Sequence, residues 1–134
     1  MVDRNRLKNF DSSQNGKNLN IFANRINEEL KSMAPVIAIE ELSELIQATS
    51  KWMRFDRPGT NNTRTKIEED KIHLTEEIAD ATIALHIIKN MAKISNNDIE
   101  QMIAYKLDRK RKFLDNGTII NKTESGRKKP HKKR

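Results

Sequence analysis

The chain has 134 residues, enough for one core, and its 35% hydrophobic content includes only 4% aromatics, so that core is aliphatic. Four Gly and three Pro are too few for a turn-rich sandwich or barrel, and the lack of Cys excludes disulfides, thiolate metal sites and a cysteine nucleophile. The net charge of +7 is local. Seven of the 26 Lys and Arg, against the single acid Glu124, fall in 122–134, so this stretch carries +6 and residues 1–121 only +1.

Residues 1–18 are polar and read as a flexible N-terminal arm. A first helix is predicted over about 20–33, capped by Asn20 and burying Ile21, Phe22, Ile26, Leu30 and Met33. Pro35 suits the first turn of a second helix, about 35–55, which Arg57-Pro58-Gly59-Thr60-Asn61-Asn62 ends in a polar loop. A third helix is predicted over about 68–93. Ser95 and Asn97 are caps for a fourth, about 97–114, stopped by Asp115-Asn116-Gly117. No β-alternation of useful length and no solenoid repeat occurs, so the fold class is all-α, an antiparallel bundle of about four helices within 19–115. Residues 116–134 read as a basic disordered tail. No apolar run approaches the ~18 residues of a membrane span, and no signal-peptide apolar stretch opens the chain, so the expectation is a soluble cytoplasmic protein without a membrane partner.

Sorting side chains at about 100° per residue exposes an inconsistency in the charges. On the second helix Ile39, Leu42, Ile46, Thr49 and Met53 form one stripe, widened by Leu45, Ala48 and Trp52. Glu41 lies beside Ile37, Leu45 and Ala48 rather than on the polar face, and Glu44 borders it. The third helix has an apolar arc of Leu74, Ile78, Ala81, Ala84, Leu85, Ile87, Ile88, Met91 and Ala92, into which Glu77 and Asp80 project. Thr82, His86, Lys89 and Lys93 take the polar face. Carboxylates among aliphatic side chains are costly unless neutralised, and four from two helices repel one another. The three-residue spacings of Glu41 with Glu44 and of Glu77 with Asp80 put each pair on one helix face. An all-carboxylate set favours a hard divalent cation, Mg²⁺ or alternatively Mn²⁺. On the fourth helix Lys106 and Lys110 lie within the apolar side formed by Ile99, Met102, Ile103, Leu107, Phe113 and Leu114, and Arg109 borders it. Inward cations beside a divalent ion are what a polyphosphate ligand requires.

These blocks, Glu41-Leu-Ser-Glu44-Leu, Glu77-Ile-Ala-Asp80-Ala and the Ser95-to-Arg111 helix carrying Lys106 and Lys110, resemble the MazG-type all-α nucleoside triphosphate pyrophosphohydrolases, over about 35–114. The resemblance implies Mg²⁺-dependent cleavage of a ribo- or deoxyribonucleoside triphosphate to the monophosphate and pyrophosphate, by a homodimer or homotetramer. It implies that Glu41, Glu44, Glu77 and Asp80 are metal ligands and that Lys106 contacts phosphate. The chain departs from the family pattern in its 32-residue spacer, 45–76, in Lys110 where Asn is common, and in the missing Trp-Gly and Gln upstream. In the mechanism expected of such a site, metal ions activate a water, Glu44 accepts its proton, and Lys106 with Arg109 or Lys110 holds the leaving pyrophosphate.

Trp52, the only Trp, is assigned to the core, with stacking on a substrate base as its second role. His73, four residues before Glu77, is not assigned to a zinc site because no further His or Cys joins it. The alternatives are a pyrophosphohydrolase acting on another nucleotide, such as a phosphoribosyl nucleotide, and a non-enzymatic helical protein. In the latter, residues 122–134 make weak, nonspecific, salt-sensitive contact with nucleic acid.

Overall fold

The computed structural model describes residues 4–55 and 64–117. All regular structure among them is helical: α1 (Arg4–Leu7), α2 (Asn15–Leu30), a 3₁₀ turn (Lys31–Met33), α3 (Ala34–Phe55), α4 (Arg64–Met91) and α5 (Asn96–Asp115). The expectation of an all-α chain with four substantial helices therefore holds. Most of the polar loop expected after Arg57, and the basic tail, lie outside the described residues. Among those described, no helix is long and apolar enough to cross a membrane.

The helix ends follow from local chemistry. The Ser95 side chain accepts a 3.1 Å hydrogen bond from the Asp98 amide and caps α5 as expected. Gly117, at φ 62°, turns the chain after α5 and donates to the Leu114 carbonyl. At the end of α4, Lys93 takes φ 57°, its amide bonds the Asn90 carbonyl, and the Ile94 amide reaches back to Lys89. This is the paired 5→2 and 6→1 pattern that closes a helix through a left-handed residue. The first predicted boundary is corrected: α2 begins at Asn15, and Asn20 is not a cap but lies inside the helix. Its carbonyl and Oδ1 accept from Asn90 Nδ2, at 3.3 and 2.9 Å, and Asn24 Oδ1 accepts from the same nitrogen at 3.0 Å. These contacts tie α2 to α4 across a long stretch of sequence, which no local pattern foretells.

The chain divides into two compact units, Met1–Ile94 and Ser95–Arg134. In the first, α3 packs along α4, with α2 laid mainly against α4. Its core is small-residue packing: Ala23, Ala34, Ala38, Ala84 and Ile87 are buried, with Ile26, Leu42, Ile83 and Ile88 packed around them. An alanine lets two helix backbones approach closely, and facing alanines on three helices select this geometry. The wheel's choice of core is corrected accordingly. Ile21, Phe22, Leu30 and Met33 of the first predicted helix, Ile39, Ile46 and Met53 of α3, and Ile78, Leu85 and Met91 of α4 are exposed. Conversely Lys89, placed on the polar face, is buried, and His86 is half-buried with no hydrogen bond to Nδ1. Within the second unit α5 buries none of its side chains.

Candidate metal centre

The inner face of α3 runs through Ala38, Glu41, Leu45, Ala48 and Trp52, at helical spacings of three and four. The facing surface of α4 runs through Leu74, Glu77, Ala81 and Ala84. Ala38 and Ala84 draw the two backbones together one turn or two from the acids, so Glu41 and Glu77 meet across the same narrow seam. Asp80, one turn after Glu77, completes a group in which one carboxylate oxygen from each residue lies within 4.8 Å of the other two.

The three acids differ in exposure. Glu77 retains only 8% of its surface, Glu41 is half-buried and Asp80 is open to solvent. Glu77 Oε2 is buried and has no hydrogen-bond partner. A buried carboxylate oxygen without a partner is a costly feature that a cation would relieve. Loss of hydration pushes the Glu41 carboxyl above the ordinary glutamate range, and the negative charges of Asp80, Glu44, Glu77 and Glu40 push it further.

The donor set fits a hard divalent cation: three carboxylates from two helices, of which Glu77 also has a buried oxygen without a partner. Opposite ligands around Mg²⁺, at about 2.1 Å each, stand about 4.2 Å apart, and around Ca²⁺, at about 2.4 Å, about 4.8 Å apart. With every pair within 4.8 Å, the three oxygens stand close enough for side-chain rotation to bring them onto one ion of either size.

Other expected site residues fall in different places. Glu44 is exposed; its charge reaches Glu41, but it is not one of the three converging groups. Trp52 is half-buried on the face that carries Glu41, three turns along α3. Lys106, Arg109 and Lys110 are exposed on α5 in the second unit, where the Arg109 guanidinium lies 5.8 Å from the centre of the Tyr105 ring. Their neighbour Asp108 is held below the usual carboxylate range by a hydrogen bond from Lys112 Nζ at 2.9 Å, with Arg111 3.4 Å away.

His73, which the sequence leaves outside any site, stands beside two of the acids. His73 Nδ1 stands 3.8 Å from Glu77 Oε1 and 4.0 Å from Glu76 Oε2. Its four-residue spacing from Glu77 was the available signal. A cleft of about 290 Å³ opens beside it, lined by Lys51, Glu69, Asp70, Ile72, His73 and Glu76. Comparison with known proteins gives no match to a family model, to a curated protein or to a solved structure.

Proposed function

We propose that the chain is a divalent-cation-dependent nucleotide pyrophosphohydrolase, with Mg²⁺ as the first candidate and Mn²⁺ as the second. The observation that carries this reading is the convergence of Glu41, Glu77 and Asp80, with a buried oxygen of Glu77 that has no hydrogen-bond partner. The substrate class comes from the sequence resemblance, which pairs these acids with a basic helix and points to nucleoside triphosphates.

Glu41, Glu77 and Asp80 would hold the ion, and their proximity is the part of the geometry that would otherwise be unfavourable. A bound divalent ion supplies charge neutralisation at phosphate oxygens and a more acidic water. Glu44, exposed one turn from Glu41, is free of the tight group and is the carboxylate best suited to take the proton of the attacking water. The water oxygen bonds to phosphorus, the bond between the α and β phosphates breaks, and pyrophosphate departs with the bonding electron pair. By the resemblance alone, Lys106, Arg109 and Lys110 are the cationic donors that would offset charge on such a leaving group.

The test is pyrophosphate release from a panel of ribo- and deoxyribonucleoside triphosphates and phosphoribosyl nucleotides, with Mg²⁺ or Mn²⁺. Glu77→Gln and Asp80→Asn are expected to lower turnover by at least about 100-fold, the scale on which electrostatic catalytic groups act. Full activity in both variants would remove the site assignment. Activity confined to phosphoribosyl nucleotides would move the substrate and leave the metal centre in place.

A further inference from the structure

One nitrogen donor stands against the carboxylates of α4. At about 100° per residue His73 lies about 40° from Glu77 and about 20° from Asp80, between them in angle, so the imidazole belongs to the face that carries the acids. Side chains of a helix lean toward its N-terminus, which carries the Glu77 carboxylate over the turn that bears His73. The two oxygens of Glu77 then have different surroundings. Oε2 is buried and has no hydrogen-bond partner, whereas Oε1 lies 3.8 Å from His73 Nδ1. Neither that distance nor the 4.0 Å from His73 Nδ1 to Glu76 Oε2 is a hydrogen bond, so the ring stands beside the acids without being engaged by them.

We propose that the His73 imidazole is a nitrogen ligand of the ion that Glu41, Glu77 and Asp80 would hold, and that the centre therefore favours a first-row transition ion such as Mn²⁺ over Mg²⁺. The distance is of the right size. Around an ion with ligands at about 2.1 Å, neighbouring ligands stand about 3.0 Å apart and opposite ones about 4.2 Å apart, and 3.8 Å falls between the two. The ring is not among the three converging groups as they stand, but half of the His73 side chain is open to solvent, which leaves it room to turn onto the ion. The cleft beside it, walled by Glu69, Asp70 and Glu76 against the single cation Lys51, gives a hydrated cation a negatively charged approach to the ring. Three carboxylates alone suit Mg²⁺ and Mn²⁺ alike. An imidazole is a softer donor, gains more from a transition ion than from Mg²⁺, and so reverses the order of candidates that the carboxylates set. The inference rests on the metal centre of the reading above and adds to it a fourth ligand and the identity of the ion.

The test is made on the full chain with MnCl₂ and MgCl₂. Isothermal titration is expected to show Mn²⁺ bound at least about 10-fold more tightly than Mg²⁺. Pulsed electron paramagnetic resonance of the Mn²⁺-loaded chain should show coupling to a ligating ¹⁴N nucleus, and His73→Ala should remove it. The same variant is expected to weaken Mn²⁺ binding by at least about 10-fold, the lower end of what even the outer partners of metal ligands contribute, and Mg²⁺ binding by less than about 2-fold. His73→Gln keeps a hydrogen-bond donor near Glu77 without a ring nitrogen, and should behave as His73→Ala does. Mn²⁺ bound without nitrogen coupling, coupling that survives in His73→Ala, or parental Mn²⁺ affinity in His73→Gln would overturn the ligand assignment and leave the carboxylate centre standing. Uptake of neither ion would end both.

Discussion

At one end of the α3–α4 seam, Ala34, Ala38, Ala84 and Ile87 are packed against α2 with almost no exposed surface; about one turn along, the same helix faces carry Glu41, Glu77 and Asp80. The two stretches share a backbone spacing but not a chemistry. Alanine makes close approach favourable by filling the gap with methyl groups. Carboxylates held at that separation repel and lose hydration, as the raised Glu41 carboxyl records. The alanine end therefore sets the distance at which the acids must coexist, and the acid stretch is stable to the extent that something cationic enters it.

Widening the alanine end should disturb both stretches. Ala38→Leu, at a position with no exposed surface, is expected to lower the unfolding free energy by up to about 3 kcal/mol by overpacking, read as a shift of the urea midpoint, and to weaken ion binding because the acids move apart. A change below about 1 kcal/mol would mean that Ala38 does not control the helix spacing. Filling the acid stretch should act in the opposite direction. Mg²⁺ or Mn²⁺ at 100 times its dissociation constant is expected to stabilise the fold by about 2.7 kcal/mol, and thermal melts of Asp80→Asn should lose this increment.

Smaller changes sharpen the contrast. A raised carboxyl pKa means that the ionised form is disfavoured in the fold, so its stabilising share is present at low pH and lost as pH rises through the folded value. Glu41→Gln should therefore raise the metal-free melting temperature by about 2–4 °C at pH 8, while abolishing the ion-dependent increment. An unchanged or lower metal-free melting temperature would show that repulsion in the seam is already relieved. The least effect is expected at His86, whose pKa is lowered first by burial and then by the charge of Lys89. The unfolded chain takes up a proton near pH 6.5 that the folded chain refuses, so stability is full above that pH and declines as pH falls below it. Melting curves between pH 7.5 and 5.5 should be flatter for His86→Asn than for the parent chain; equal slopes would assign the acid loss to other groups.

Much of this arrangement was legible from residue spacing, and the remainder was not for identifiable reasons. Helices α3 and α4 carry long periodic runs, and Ser95 and Gly117 punctuate the chain, so the elements were readable. Glu41 and Glu77 were readable because an acid beside Leu45, Ala48, Ala81 and Ala84 contradicts the helix period. The start of α2 was not, because Asn15 to Asn20 holds little apolar signal and the helix is held there by Asn90. The core was misplaced for a different reason. A wheel weights large aliphatics and so turns Ile39, Ile46 and Leu85 inward, whereas the helices approach through alanines and leave those larger side chains outside. The three-residue spacing groups Glu44 with Glu41, but Glu44 is exposed and lies outside the converging three; Asp80, at the same spacing from Glu77, lies within them, so spacing alone does not decide.

Isothermal titration of the purified chain with MnCl₂ and MgCl₂ bears most directly on the carboxylate group. Saturable uptake by the parent chain, abolished in Glu77→Gln while circular dichroism is unchanged, is the result this account predicts. No uptake of either ion, or uptake that Glu77→Gln leaves intact, would contradict it.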